Sequence, residues 1–269
     1  MAYSDRQEFP PVQGGGSLIL AWQIKNKTVL VVGGGEVAAG RILNVLNADA
    51  NVVVVCPSSG LNPEVRHRID SHDRVTHIDR VFEPSDLEVL PPANAAPDMV
   101  LVAVDDPAAS TQIWKLCKER RTPANIADVP SECDFYFGSV HRDGPLQIMV
   151  STNGKGPRLA ASIRKWIGNQ LPAGVGNAIE RVGELRVKLR KMVPDAADGS
   201  RRMRWMTKVS DAYSWDDMCA LDDEDMDNLL KFYQSGKAPE LHVLKAMRGG
   251  KVPEDLDVFD GSFGFSVVA

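Results

Sequence analysis

Thr28-Val29-Leu30-Val31-Val32-Gly33-Gly34-Gly35-Glu36-Val37-Ala38-Ala39-Gly40 is the stretch whose reading decides the fold. Five β-branched and aliphatic residues, Thr28 to Val32, predict a strand covered on both faces, as in a parallel sheet with helices above and below. Gly33 and Gly35 fill the first two positions of G-x-G-x-x-G/A, and Ala38 fills the third. Bare backbone at such a turn can approach a pyrophosphate, and the helix that follows presents free N–H groups and a positive dipole end to it. The apolar positions Val37, Ile42, Leu43 and Leu46 continue that helix to about Asn47.

Around this centre the 269 residues predict about two domains. With 43% hydrophobic and 25% charged residues, no signal-peptide layout and no apolar run long enough for a membrane span, a soluble, cytoplasmic protein is expected. The four cysteines, Cys56, Cys117, Cys133 and Cys219, form no C-x-x-C pair, so reduced thiols are expected rather than a zinc site or a disulfide frame. A net charge of −5 argues against nucleic acid as a general partner.

Residues 1–17, rich in Pro and Gly, read as a mobile leader. Leu18 to Ile24 is apolar and is expected to pack beside the sheet. The second strand, Asn51 to Val55, runs into Cys56-Pro57-Ser58-Ser59-Gly60, where a dinucleotide fold ordinarily places an acidic residue for the adenosine ribose. Neither acid nor arginine stands there, which leaves Ser58 or Ser59 and the backbone as ribose ligands and favours NAD over NADP. His67, His72 and His77 match no ligand spacing and read as solvated surface, so no metal site is expected. Met99 to Val104 reads as a buried strand, Asp105-Asp106-Pro107 as a helix start before a helix over Ser110 to Arg121, and Ala124-Asn125-Ile126-Ala127-Asp128 as a strand whose end carries a carboxylate. Asp128 reads either as a base in the crevice or as a turn aspartate before Pro130.

The pattern then changes. Asp134 to Val140 and Leu146 to Ser151 alternate as two strands around Arg142-Asp143-Gly144-Pro145, a hairpin whose edges a second copy would cover. Ser151 to Arg158 forms a loop with hydroxyls, amides, two glycines and two cations at a helix start, suited either to an anion or to ordinary capping. The rest is expected to be helical. Nine Lys or Arg against three acids between Arg181 and Lys208 form a basic segment, Asp216 to Asp227 an acidic surface run, and residues 249–269 a poorly ordered tail.

Val31-Val32-Gly33-Gly34-Gly35-Glu36-Val37, Leu116-Cys117-Lys118-Glu119-Arg120, Asn125-Ile126-Ala127-Asp128, Cys133-Asp134-Phe135-Tyr136-Phe137-Gly138 and Ser151-Thr152-Asn153-Gly154 with Pro157-Arg158 stand in an order that resembles the precorrin-2 dehydrogenase/sirohydrochlorin ferrochelatase family of fungi. They also resemble the N-terminal module of bacterial siroheme synthases. The resemblance implies NAD-dependent oxidation of precorrin-2 to sirohydrochlorin, then Fe²⁺ insertion to give siroheme; the homodimer is expected from the hairpin edges. It places NAD contacts on Gly33, Gly35, Glu36, Val37, Pro57 and Ser58, with Val104 and Asp105 beside them, and the catalytic carboxylate of both steps on Asp128. Thr152, Asn153, Lys155 and Arg158 become candidates for the substrate's carboxylates, with the basic segment 181–208 as a further source of cations. The fold expected is α/β: a Rossmann-like doubly wound parallel sheet over 18–130, a hairpin dimerisation region over 131–157 and a helical domain over 158–248. A different class, an NAD(H)-sensing regulator without turnover, uses the same fold; net acidity and the lack of a recognition-helix pattern disfavour it.

Overall fold

A computed structural model describes residues 14–250 and 258–259, so most of the expected leader and most of the expected tail lie outside the described residues. The chain divides into two compact units. One runs to Phe137 and includes Asn153–Lys155; the other comprises Gly138–Thr152 and the chain from Gly156 onward.

In the first unit β1 (Thr28–Val32), β2 (Asn51–Val55), β3 (Val75–Ile78), β4 (Met99–Val102) and β5 (Ala124–Ile126) alternate with α1 (Glu36–Leu46), α2 (Pro63–Ser71) and α3 (Pro107–Arg120). The strands form one parallel sheet in the order β3-β2-β1-β4-β5. This is the doubly wound arrangement, with its topological switch between β1 and β4. The strands' two-residue period sorts their side chains into two layers. Val29, Val31, Val52 and Val54 pack with Ala38, Ile42 and Val65 on one face. Leu30, Val32, Val53 and Val55 pack with Leu87, Ile113 and Cys117 on the other. Each such side chain contributes about 1.5–3 kcal/mol when fully buried, so the sheet's rigidity has a clear source. The register sets Val32 level with Val55 and Val102, and three strand ends therefore open onto one crevice.

Two expectations are corrected here. Leu18 to Trp22 does not pack beside the sheet: Leu18 is 83% and Leu20 69% exposed, and of this segment only Ile24 joins the core. Both sheet faces are already filled by α1, α2, α3 and the β3–β4 connection, so apolarity alone did not secure a place. Trp22 instead meets the Phe135 ring edge-on, with centroids 5.4 Å apart. Asp134 to Phe137, the first part of the expected strand Asp134 to Val140, is not strand either, because the first unit holds it. Asp134 N–H donates to the Ala124 carbonyl at 2.9 Å, its carboxylate accepts from Ala124 N–H at 3.0 Å, and the Phe135 carbonyl accepts from Asn125 Nδ2 at 2.7 Å.

The second unit begins with the antiparallel pair β6 (Ser139–Asp143) and β7 (Leu146–Val150), which turns at Gly144-Pro145. Next come α4 (Pro157–Gln170), α5 (Val175–Met192), α6 (Gly199–Ala212), α7 (Trp215–Ala220) and α8 (Asp223–Leu230). The short strand β8 (Ala238–Pro239) precedes α9 (Leu241–Ala246) and pairs with β9 (Val258–Phe259). Its core gathers Leu185, Leu189, Trp205, Val209, Met226, Leu229 and Tyr233. Trp205 stands edge-on to Tyr233 and donates its indole N–H to the Lys237 carbonyl at 2.8 Å.

The run from Asp216 to Asp227 is not simply surface. Asp217 and Asp225 complete capping boxes with Ser214 and Asp222 at the starts of α7 and α8. Asp225 is fully buried and binds Lys245 and Arg248, which ties α8 to α9 and the turn after it.

Candidate functional site

A cavity of about 690 Å³ lies in the first unit at the C-terminal ends of the strands. The glycine turn forms its floor. Gly33 has φ +109°, a conformation that side chains other than hydrogen rarely adopt, and a Cβ there would overlap the Ala103 carbonyl oxygen. A Cβ on Gly34 would lie 2.8 Å from Leu61 and 2.9 Å from the Cys56 sulfur. Gly35 has ordinary extended backbone and nothing within 4 Å of its missing Cβ, so its opening faces free space rather than packing. It is the N-cap of α1 and provides no side-chain cap, which leaves the helix's first N–H groups for a ligand. Gly33, Gly35, Glu36, Val37, Val104, Asp105 and Asp128, seven of the residues singled out from the sequence, line this cavity. The bare cradle, the uncapped helix start and the strand-end crevice together fit a dinucleotide, with the pyrophosphate over the glycines.

Pro57 and Ser58 are not among the lining residues, although their neighbours Cys56 and Gly60 are. Their loop is held to the glycine turn by the Asn62 N–H, which donates to the Gly34 carbonyl at 2.7 Å. Ser58 is engaged elsewhere: its N–H and hydroxyl both donate to Asp79, at 2.6 and 2.5 Å. Asp79, just past β3, was not singled out from the sequence. It lies 21 residues along the chain, and only the parallel pairing of β2 with β3 brings it there.

Asp128 follows β5 with φ +60°, a left-handed conformation that Asp accepts more readily than most residues. It caps no helix, and its exposed carboxylate accepts no hydrogen bond from the described residues. The turn is fixed from beneath. Ala127 N–H donates to Val102, and the Arg41 guanidinium donates to the carbonyls of Val102 at 3.0 Å and Asn125 at 3.2 Å. Burial draws the Arg41 guanidinium down from its usual range, with Cys133 and then Asp128 opposing that shift. Arg41 also stands over the Phe137 ring. The signal that would have found Arg41 was its place on the strand-facing side of α1. Asn125 is buried beside it, and its Oδ1 has no partner among the described residues.

The second group of candidates divides between the units. Asn153 and Lys155 belong to the first, and Asn153 bonds Ser17 and the Gly15 carbonyl. Thr152 and Arg158 belong to the second, where the Thr152 hydroxyl accepts from Gly156 N–H at 3.1 Å just before α4. Lys155 and Arg158 are exposed, and α4, like α1, starts on a glycine without a side-chain cap.

The basic segment is less available than its composition suggests. Lys188 pairs with Asp223 and Asp227, Arg202 donates to the carbonyls of Val193 and Asp195, and Arg201 binds Gln234 and covers Tyr233. Arg186, Arg190, Lys191 and Arg204 remain exposed. No group of three or more His, Cys, Asp or Glu suited to a metal occurs among the described residues, and no described helix is long and apolar enough to cross a membrane.

Three family models match the chain in succession: an NAD(P)-binding model over residues 20–139, a sirohaem biosynthesis protein central model over 143–170 and a sirohaem biosynthesis protein C-terminal model over 172–239. The solved structure of SirC, a precorrin-2 dehydrogenase, shares the fold with a TM-score of 0.60 at 20% identity, over 81% of this chain and all of that one. A siroheme biosynthesis protein of Saccharomyces cerevisiae is 31% identical over 73% of this chain and 83% of its own length. Its counterpart in Schizosaccharomyces pombe is 50% identical over 84% of this chain and 83% of its own. On these matches, the chain belongs to the siroheme biosynthesis protein family.

Proposed function

We propose that this chain catalyses two successive steps of siroheme formation: NAD-dependent oxidation of precorrin-2 to sirohydrochlorin, and insertion of Fe²⁺, a substrate, into that product. The observation that supports this most strongly is the sharing of one cavity by the glycine cradle and Asp128. When bound, NAD⁺ supplies the acceptor for the hydride that the macrocycle loses. What remains is proton chemistry, and it falls to the protein. Oxidation also releases a proton from the macrocycle, and of the three carboxylates lining the crevice, Glu36, Asp105 and Asp128, we assign its acceptance to Asp128, which stands at the end of β5. Its exposure lets it pass that proton on to water, so the ionised form is restored before the second step. Metal insertion displaces two pyrrole protons, and the same carboxylate can accept them in turn. Arg41 is the positioning group beneath it, anchoring the strand ends on either side of Ala127.

Gly33, Gly35, Glu36 and Val37 hold the pyrophosphate and its near ribose, with Val104 and Asp105 on the nicotinamide side. Thr152, Asn153, Lys155 and Arg158 serve the carboxylate arms of the tetrapyrrole; the two exposed cations and the uncapped start of α4 favour that assignment. The active form is a homodimer. In the second unit Val140 on β6 and Leu159, Ile163 and Trp166 at helical spacing on α4 are exposed, Trp166 by 65%, and apolar stripes of this kind mark association surfaces. Light scattering on the purified chain should give twice the monomer mass.

The deciding assay supplies precorrin-2 and NAD⁺, follows NADH absorbance, then adds Fe²⁺ and follows the siroheme spectrum. NADH formation followed by the metallated spectrum is expected. No NADH above the blank would exclude the dehydrogenase, and NADH without metallation would exclude the chelatase.

A further inference from the structure

The dinucleotide fingerprint ordinarily ends in an acidic residue on the second strand, and here that strand ends in Cys56-Pro57-Ser58. The structure brings an acid to the same place by another route. Parallel pairing sets Val55 level with Ile78, so the residue after Ile78 emerges beside the loop that follows β2. That residue is Asp79. Its two carboxylate oxygens accept from the Ser58 N–H at 2.6 Å and the Ser58 hydroxyl at 2.5 Å. The loop it grips is the one that packs on the glycine turn, where a Cβ on Gly34 would meet Cys56, Leu61 and Gly60.

In a doubly wound sheet the half of a dinucleotide nearer β2 and β3 is the adenosine, while the other half extends over β4 and β5. Asp128 marks the latter side. Ser58 and Asp79 therefore stand at the level and on the side of the adenosine ribose.

We propose that Asp79, acting with Ser58, is the residue that selects NAD over NADP: its carboxylate accepts a hydrogen bond from the ribose 2′-hydroxyl and repels a phosphate in that position. This rests on the dinucleotide reading of the cavity. The hydrogen bonds from Ser58 keep the Asp79 carboxyl below the usual carboxylate range, so it is charged at neutral pH. Two side chains stand beside it, of which Arg66 carries the opposite charge. His77 Nε2 donates to the Cys56 carbonyl at 2.8 Å, and Arg66 donates to the Ser58 carbonyl at 2.9 Å. With Asp79 ionised the Arg66 charge is offset. With it neutral, Arg66 is left to attract a phosphate.

The experiment measures equilibrium binding of NAD⁺ and NADP⁺ to the full-length chain without tetrapyrrole, for the natural sequence and for Asp79→Asn. The natural chain should bind NAD⁺ more tightly. Asp79→Asn should shrink the ratio of the two dissociation constants by about tenfold, since one charged group near a phosphate commonly contributes on that order. Ser58→Ala, which removes one hydrogen bond but keeps the charge, should weaken NAD⁺ binding modestly and leave the preference for NAD⁺ in place. If Asp79→Asn weakens both dinucleotides equally, Asp79 merely braces the loop and the proposal is overturned. An unchanged ratio with unchanged affinities overturns it as well. A natural chain that binds neither dinucleotide removes the cofactor reading itself, an outcome distinct from a failure at Asp79.

Discussion

The helix that opens the glycine cradle and the two short helices of the second unit begin in opposite ways. Helix α1 starts on Gly35, with no side chain to satisfy its leading N–H groups. Helices α7 and α8 start on Ser214 and Asp222, each locked by a reciprocal capping box with Asp217 and Asp225. A capped start is worth about 1 kcal/mol to the fold, so a bare one is stability withheld. The contrast teaches where to look for chemistry: α7 and α8 satisfy their own starts with side chains, whereas the first unit keeps the start of α1 and a carboxylate, Asp128, open to a ligand.

Four substitutions break or sharpen that contrast. Asp128→Asn keeps a side chain that tolerates left-handed backbone but removes the base, and should lower the rate of NADH formation by about 1,000-fold, within the range for lost general-base catalysis. A thermal melt should show stability nearly unchanged; a rate near that of the natural chain would move the base elsewhere. In the second unit, Asp225→Asn leaves Lys245 and Arg248 facing a neutral partner and should destabilise that unit by about 3 kcal/mol in urea unfolding.

The same residue carries a pH signature. Burial alone would raise the Asp225 carboxyl, but hydrogen bonds from Arg248 and Lys245 outweigh it and bring it down to about 2. A folded value below the ordinary one means that the stabilisation is fully present at neutral pH. It disappears as pH falls from about 4 toward 2, and it amounts to about 2 kcal/mol. Acid titration of the Asp225→Asn chain should lack that component.

Gly35→Asp tests the open helix start directly. The missing Cβ has free space and extended backbone, so the variant should fold, and its carboxylate should cap α1 and add a few tenths of a kcal/mol. That same charge stands where the pyrophosphate belongs, and NAD⁺ affinity should fall by about 100-fold in a fluorescence titration. Gly33 is the poorer place for this test, because any side chain there collides with Ala103. The smallest effect belongs to Ser214→Ala, about 1 kcal/mol of unfolding free energy from one lost cap.

Much of the first unit was legible before the structure. The strand–glycine–helix run and the second strand carry their own local signals, and β1, α1 and β2 fall where the periodicity puts them. Asp128 was legible as the residue at a strand end. What escaped depended on pairing between distant segments. Asp79 meets Ser58 only through strand register, and Asp134 leaves the hairpin because Ala124 offers it two hydrogen bonds. The acidic run looked like surface because its partners, Lys245 and Arg248, lie some twenty residues further on. Leu18 to Trp22 failed for the opposite reason: apolarity is a local property, whereas a vacant face to bury it against is not.

Asp134 has one further consequence. Strand β5 ends the row β3-β2-β1-β4-β5 and would otherwise offer bare amide and carbonyl groups to any passing chain. This residue returns both a backbone and a side-chain partner to Ala124 and so covers that part of the edge. Asp134→Ala keeps the backbone bond but loses the carboxylate acceptor, and it should raise the chain's tendency to aggregate, read as turbidity on storage.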